Sequence, residues 1–177
     1  LEPSRGEPNV HITLYQALPK GDKMETIIQK AVELGVHRIV PVLTSRCISR
    51  PDEKSIQKKL VRYHRIALEA AKQCGRGRVP EVEHLIDFKA AGDRMKAEGL
   101  AILFYENAQE SLKCVLSSRL GQNVSILIGS EGGFDPSEAS YALENGLLSL
   151  SLGSRILRCE TAPLAAIAAI MYQAGEL

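Results

Sequence analysis

The sequence predicts an α/β domain, a mostly parallel sheet flanked by helices. Three observations carry that reading. Short apolar runs of strand length alternate with longer stretches whose apolar residues recur every three or four positions. Glycines or capping residues mark the changeovers. Two glycine-containing loops each follow a strand and precede a helix, the arrangement found at the ligand-binding end of open α/β sheets.

Each element has its own signal. Residues 10–18 alternate as a strand does, with Ile12, Leu14 and Gln16 against His11, Thr13 and Tyr15. Pro19-Lys20-Gly21-Asp22 is a turn that offers Asp22 as a helix cap. A helix over 23–34 puts Met24, Ile27, Ile28, Ala31 and Leu34 on one face and stops at Gly35. A strand over 37–43 completes a strand-helix-strand unit, which suggests a parallel crossover. After Pro51 and Asp52 a long helix runs from 53 to about 74, with Ile56, Leu60, Tyr63, Ala67, Ala70 and Cys74 recurring at steps of four and three. Lys58, Lys59, Arg62, Arg65 and Lys72 lie mostly off that stripe. Gly75-Arg76-Gly77-Arg78-Val79-Pro80 ends it. A short strand over 81–86 and a helix over 87–98, capped at Asp87 and closed by Gly99, come next. A strand over 100–105, a loop over 106–110 and a helix over 112–120 follow.

The last third holds the two glycine loops. A strand over 124–128 ends in Gly129-Ser130-Glu131-Gly132-Gly133, and Asp135-Pro136-Ser137-Glu138 has the pattern of a capping box with proline at the first helical position. An apolar run over 147–152 ends in Gly153-Ser154-Arg155-Ile156-Leu157-Arg158-Cys159-Glu160-Thr161, with Thr161 as the expected cap of a nearly uncharged helix over 162–174. That helix is apolar most of the way round, so it reads as part core and part dimer interface.

The totals set limits. A chain of 177 residues with 45% hydrophobic content suits one domain with a real core. At a net charge of +1, any affinity for nucleic acid has to come from a local patch. No apolar run has membrane-spanning length and no signal-peptide pattern is visible. Cys47, Cys74, Cys114 and Cys159 form no Cys-x-x-Cys, and the four histidines have no ligand spacing. No metal site and no disulfide framework are expected, and a reduced, cytoplasmic protein is. Residues 1–8, Leu1-Glu2-Pro3-Ser4-Arg5-Gly6-Glu7-Pro8, read as a linker.

The glycine turn carries a glutamate, Glu131, which would repel a phosphate and suits a ribose hydroxyl, an amine or a cation better. Walker, dinucleotide and nucleophile-elbow patterns are all missing. A tight structural turn is the alternative. Arg155 and Arg158, with Glu160 beside them, make the second loop too polar for a plain crossover; structural salt bridges among them are the alternative there. Arg46, Arg50, Arg76 and Arg78 with the basic helix face could fix a nucleic acid through its phosphates, and a solvated helix surface is the plainer account of Lys58 and Lys59.

Several stretches then fall into a known order: Lys20-Gly21-Asp22-Lys23-Met24-Glu25, Gln29 to Val36, Arg46-Cys47, Glu69-Ala70-Ala71-Lys72-Gln73-Cys74-Gly75-Arg76, Gly129 to Gly133, and Leu152 to Ala162. In that order they resemble the ribosomal RNA small-subunit methyltransferase E family of the SPOUT class, over about the whole chain from Val10 onward. The resemblance implies an S-adenosyl-L-methionine-dependent enzyme that methylates N3 of a uridine in 16S small-subunit ribosomal RNA. It also implies a C-terminal deep trefoil knot, in about 124–177, and a homodimer. Residues 10–177 would be the catalytic domain and 1–9 the remnant of a linker to a PUA-like RNA-binding domain that is absent here. The family often has proline where Ser130 stands and threonine where Cys159 stands.

Carried onto this chain, the donor pocket would use Leu103, Tyr105, Glu106, Ile128, Gly129, Glu131, Gly132, Leu152, Gly153, Ile156, Leu157, Arg158 and Thr161. Arg158 is the candidate to stabilise charge on the uracil carbonyls, and Glu131 to orient an arginine or relay a proton. Arg46, Gln73 and Arg76 are expected to face RNA. Two other readings compete. One is a SPOUT methyltransferase acting on transfer RNA ribose or on guanine; the other is a non-catalytic RNA-binding module.

Overall fold

A computed structural model describes residues 6–177; the part of the linker reading that falls on residues 1–5 lies outside them. Eight strands and six helices alternate: β1 (His11–Ala17), α1 (Lys23–Glu33), β2 (Arg38–Leu43), α2 (Glu53–Gln73), β3 (Glu81–Val82), β4 (Ile86–Asp87), α3 (Phe88–Ala97), β5 (Leu100–Phe104), β6 (Glu110–Ser111), α4 (Leu112–Arg119), β7 (Asn123–Ile128), α5 (Pro136–Glu144), β8 (Leu148–Ser151) and α6 (Ala162–Ala174). The strands form one sheet in the order β3-β2-β1-β7-β5-β8-β6, with β4 also on β2. The named pairings are all parallel.

Helices cover both faces, which is why the central strands are apolar on both sides. Ile12 and Leu14 of β1, Ile102 of β5 and Ile126 of β7 pack under α1, α2, α4 and α6. Their neighbours Tyr15, Leu103 and Leu127 point the other way and pack with Phe88, Met95, Phe134 and Ala142, from α3, α5 and the turn before α5. Period-two alternation therefore feeds two apolar layers rather than one.

The capping box at α5 is present as expected: Asp135 accepts from the Ser137 N–H and Glu138 accepts from the Asp135 N–H at 3.0 Å. Asp52 and Asp87 cap α2 and α3. Three expectations need correction. Residues 81–86 hold two separate two-residue strands on β2, not one strand. The tail of the loop over 106–110 pairs with β8 as β6. Thr161 stands at the N-cap of α6 but its side chain makes no capping bond, because its backbone is already helical (φ −90°, ψ −40°).

Residues 6–9 lie against the domain. Glu7 takes both arms of Arg76, at 3.3 and 2.8 Å, and Asn9 donates to Glu176 at 2.8 and 3.0 Å.

Candidate functional site

Strands β7, β5 and β8 are neighbours, so their carboxyl ends deliver three loops to one edge of the sheet. Together these loops enclose a cleft of about 820 Å³, within the range of small-molecule and cofactor sites. Its apolar wall includes Phe104, Ile128, Phe134, Leu152, Leu157 and Ala162, and its polar groups include Lys23, Glu106, Glu131, Arg155 and Arg158.

The glycine turn is tight for reasons visible at each position. Gly133 has φ +63°, a conformation glycine adopts without strain, and its N–H donates to the Ser130 carbonyl at 3.0 Å. A Cβ on Gly129 would come within 3.1 Å of the Gly133 Cα. A Cβ on Gly132 would come within 3.0 Å of the Arg46 Cβ. The loop after β2 clamps this turn from outside: Arg46 donates to the Gly132 carbonyl at 3.1 Å, and the Ser45 N–H donates to Glu138 at 2.7 Å. On its other side the turn meets Glu106, whose carboxylate lies 3.3 Å from where a Gly133 Cβ would stand.

One lysine ties the two glycine-containing loops together. Lys23, in the first turn of α1, donates to Glu131 at 2.9 Å and lies 3.5 Å from Glu160. The Lys20 N–H adds a bond to Glu131 at 3.1 Å. Burial alone would raise the Glu131 pKa, but the Lys23 bond and two backbone N–H groups outweigh it and hold the carboxyl below its usual range. Glu160 is also held low, by its own backbone N–H and by the Cys159 thiol 3.2 Å away. The thiol in turn is pushed up to about 12 by burial, by that bond and by the charge of Glu131. At neutral pH the site thus holds an ammonium, two carboxylates and a neutral thiol.

The salt-bridge alternative for the second loop holds for Glu160 and not for the two arginines. Glu160 pairs with Lys23, and Arg155 and Arg158 make no ion pair among the described residues. Between them Ile156 is 88% exposed. Gly153, at φ +103°, turns the chain into this loop.

Of the residues named from sequence, Tyr105, Glu106, Ile128, Gly129, Glu131, Gly132, Leu152, Gly153, Ile156, Leu157 and Arg158 line the cleft. Leu103 does not: it is fully buried and packs under α3 and α5. Thr161 lies beside the cleft without lining it. Arg46 braces the turn from outside. Gln73 and Arg76 sit at the opposite edge of the sheet, where α2 ends beside the start of β2. The expectation that Arg76 faces RNA is not met, since its side chain is only 3% exposed. Its guanidinium is consumed by Glu7 and by the carbonyls of Val32 and Val36, at 3.2 and 2.7 Å. Sequence reasoning missed Lys23 and Phe134 as parts of the site. For Lys23 the only signal was its place in the Lys20-to-Glu25 stretch, which names no partner.

Among the described residues, no helix is long and apolar enough to cross a membrane, and no group of three His, Cys, Asp or Glu is placed to hold a metal ion. Comparison with known proteins supplies the family. Residues 6–171 match the RNA methyltransferase domain. The chain is 37% identical over 170 residues to ribosomal RNA small subunit methyltransferase E of Bacillus subtilis, covering 93% of this chain and 66% of that protein. It is 35% identical over 158 residues to the protein of that name from Mesomycoplasma hyopneumoniae, covering 89% and 68%. The crystal structure of the Neisseria gonorrhoeae ribosomal RNA small subunit methyltransferase E bound to S-adenosyl methionine superposes with a TM-score of 0.86 at 41% identity, covering 93% of this chain and 67% of that one. The chain thus spans about two thirds of the length of these relatives. It belongs to the RNA methyltransferase domain family, among the ribosomal RNA small subunit methyltransferase E proteins.

Proposed function

We propose that this chain is the catalytic part of an S-adenosyl-L-methionine-dependent methyltransferase that modifies N3 of a uridine in 16S ribosomal RNA. It would do so in the cytoplasm, as a homodimer. The observation that carries the reading is the three-loop cleft at the carboxyl ends of β5, β7 and β8, with two arginines at its mouth that make no ion pair among the described residues. A relative of the same fold was solved with the methyl donor bound.

The residues present fit that donor. The cleft has the volume for it and an apolar wall for an adenine. The Glu106 carboxylate makes no ion pair among the described residues and can accept from ribose hydroxyls or an amine. When bound, the donor supplies an activated methyl group on a sulfonium.

The protein's own part is position and charge. Arg158 offers a guanidinium for the negative charge that grows on the uracil carbonyl oxygens as N3 gives up its proton. Glu131, held low and bonded to Lys23, is a weak base; its role is to hold Lys23 and the turn in place. Phe104, Ile128 and Leu157 keep water from the donor side of the cleft. The outer flank of α6, with Leu164, Ala165, Ala168 and Ala169 half-buried and Tyr172 exposed, is the proposed dimer face. The knot implied by the resemblance would thread the two loops, 129–135 and 152–161, past each other.

Calorimetric titration with S-adenosylmethionine tests the donor site without RNA. Saturable binding that weakens in Gly153→Val is expected, because a β-branched residue resists φ +103°. Mass spectrometry of nucleosides from small-subunit ribosomal RNA treated with enzyme and labelled donor tests the target. Label at any position other than uridine N3 overturns the finer assignment, and no donor binding overturns the whole. Light scattering on the eluted peak tests the dimer, and a monomer at micromolar concentration would end that part.

A further inference from the structure

The outward crest of α2 is a charged surface that the cleft does not explain. Lys54, Lys58, Val61, Arg65, Leu68 and Lys72 follow one another at steps of four and three. They lie opposite the buried stripe of Ile56, Leu60, Tyr63, Ala67 and Ala70. The crest is about 27 Å long at 1.5 Å per residue. Lys54, Lys58 and Arg65 make no ion pair or side-chain hydrogen bond among the described residues. Their neighbours Arg62 and Lys72 are occupied, by Glu25 at 2.7 Å and Glu69 at 3.1 Å. In a chain of net charge +1, three uncompensated cations thus stand within about three turns of one helix. Val61, 73% exposed, and Leu68, 38% exposed, sit between and beyond them.

The crest is continuous with the site. α2 begins at the edge of the sheet where the cleft opens, and the loop feeding it carries Arg46, which is bonded to the Gly132 carbonyl of the glycine turn. Basic groups therefore stand both on the outer side of the glycine turn, at Arg46, and along the helix that follows, with Asp52 and Glu53 between them. We infer that the α2 crest is the track on which the phosphate backbone of the RNA substrate lies. Lys54, Lys58 and Arg65 take phosphates, and Val61 seats an apolar sugar face between them. A polyanion matches both the sign and the length of this surface. The inference rests on the reading of the cleft as an RNA-methylating site. It also moves the RNA contact away from Arg76, whose guanidinium is already taken.

The test compares two triple variants of equal charge change. One is Lys54→Gln, Lys58→Gln, Arg65→Gln. The other is Lys89→Gln, Lys96→Gln, Lys113→Gln, at exposed positions on α3 and α4. A labelled single-stranded RNA from the small-subunit ribosomal RNA is titrated at several salt concentrations. Losing three phosphate contacts should flatten the slope of log Kd against log salt by about 2, at about 0.7 per contact. Between about 50 and 200 mM salt, that makes the fall in affinity roughly 20-fold smaller. The control triple should leave the slope nearly unchanged. An unchanged slope in the crest variant, or equal flattening in both, overturns the proposal. So does a crest variant that loses binding to a polyglutamate peptide but not to RNA, which would make the crest a protein contact. Circular dichroism and donor titration should match wild type in both variants. Failure of the wild-type chain to bind donor would count against the methyltransferase reading and leave the slope result standing.

Discussion

The two edges of the sheet are built on opposite principles. At the amino-terminal edge nearly every charge is answered. Arg38 reaches Glu83 at 3.1 Å and Glu98 at 2.6 Å, and Arg94 takes Glu83 at 2.9 Å. Tyr15 and Ser125 both donate to Glu98 at 2.9 Å, and Arg76 is closed in by Glu7. At the carboxyl-terminal edge Arg155, Arg158 and Glu106 are left without ion-pair partners among the described residues, and Gly153 bends the loop that carries the two arginines. Charge satisfied by the chain itself is architecture; charge left open is available to a ligand. The same residue type, arginine, does both jobs in one molecule, and only the partner list tells them apart.

Breaking each edge should therefore give different failures. At the open edge, Arg158→Ala should lower kcat on ribosomal RNA by about 100- to 1,000-fold, the scale of one lost oxyanion donor. Its thermal midpoint should stay close to wild type, because the side chain makes no hydrogen bond or ion pair among the described residues. At the closed edge, Arg76→Met should cost roughly 2–4 kcal/mol in urea unfolding, since it strands Glu7 and two carbonyls around a nearly buried site. The folded fraction should bind donor normally. A wild-type unfolding curve in Arg76→Met would show that this edge is not held as described.

Lys23 is the exception that sharpens the contrast, a paired charge at the open edge. Lys23→Met should weaken donor binding severalfold by freeing Glu131 and Glu160, and Lys23→Arg should restore most of it. Calorimetry reads both.

The closed edge should also show in the pH profile. Burial, then the charge of Arg78, holds His37 down to about 4, against 6.5 for a free histidine. Between those values the unfolded chain binds the extra proton, so stability falls as pH drops from 6.5 towards 4. His37→Gln should flatten urea midpoints across that window, and an unchanged slope would remove His37 as the cause. The last effect is chemical and leaves the fold untouched. With its thiol pushed up to about 12, Cys159 should react with iodoacetamide at pH 8 far more slowly than exposed Cys114.

Much of the fold is legible in the sequence because its signals are local. Asp135-Pro136-Ser137-Glu138 starts a helix through contacts that span three residues, and Met24 to Ala31 mark a buried face by spacing alone. The split of the expected 81–86 strand into β3 and β4, and the existence of β6, are not legible, since two residues carry no period and pair only because β2 or β8 lies beside them. The same division holds in the site. The glycine loops announce themselves. Lys23 does not, because its meaning depends on carboxylates 108 and 137 positions further on. Arg76 misleads for the converse reason: an arginine in a glycine-rich helix exit looks free until Glu7, 69 residues earlier, is seen to cover it.

The bond between Asn9 and Glu176 has a practical consequence. It brings the two ends of the described chain together at 2.8 Å, while α6 carries the chain about 20 Å from the cleft to that point. The point where these two segments meet faces away from the cleft. A fluorophore or surface anchor attached at Leu177 would hold the molecule by its back, with the cleft turned towards solution.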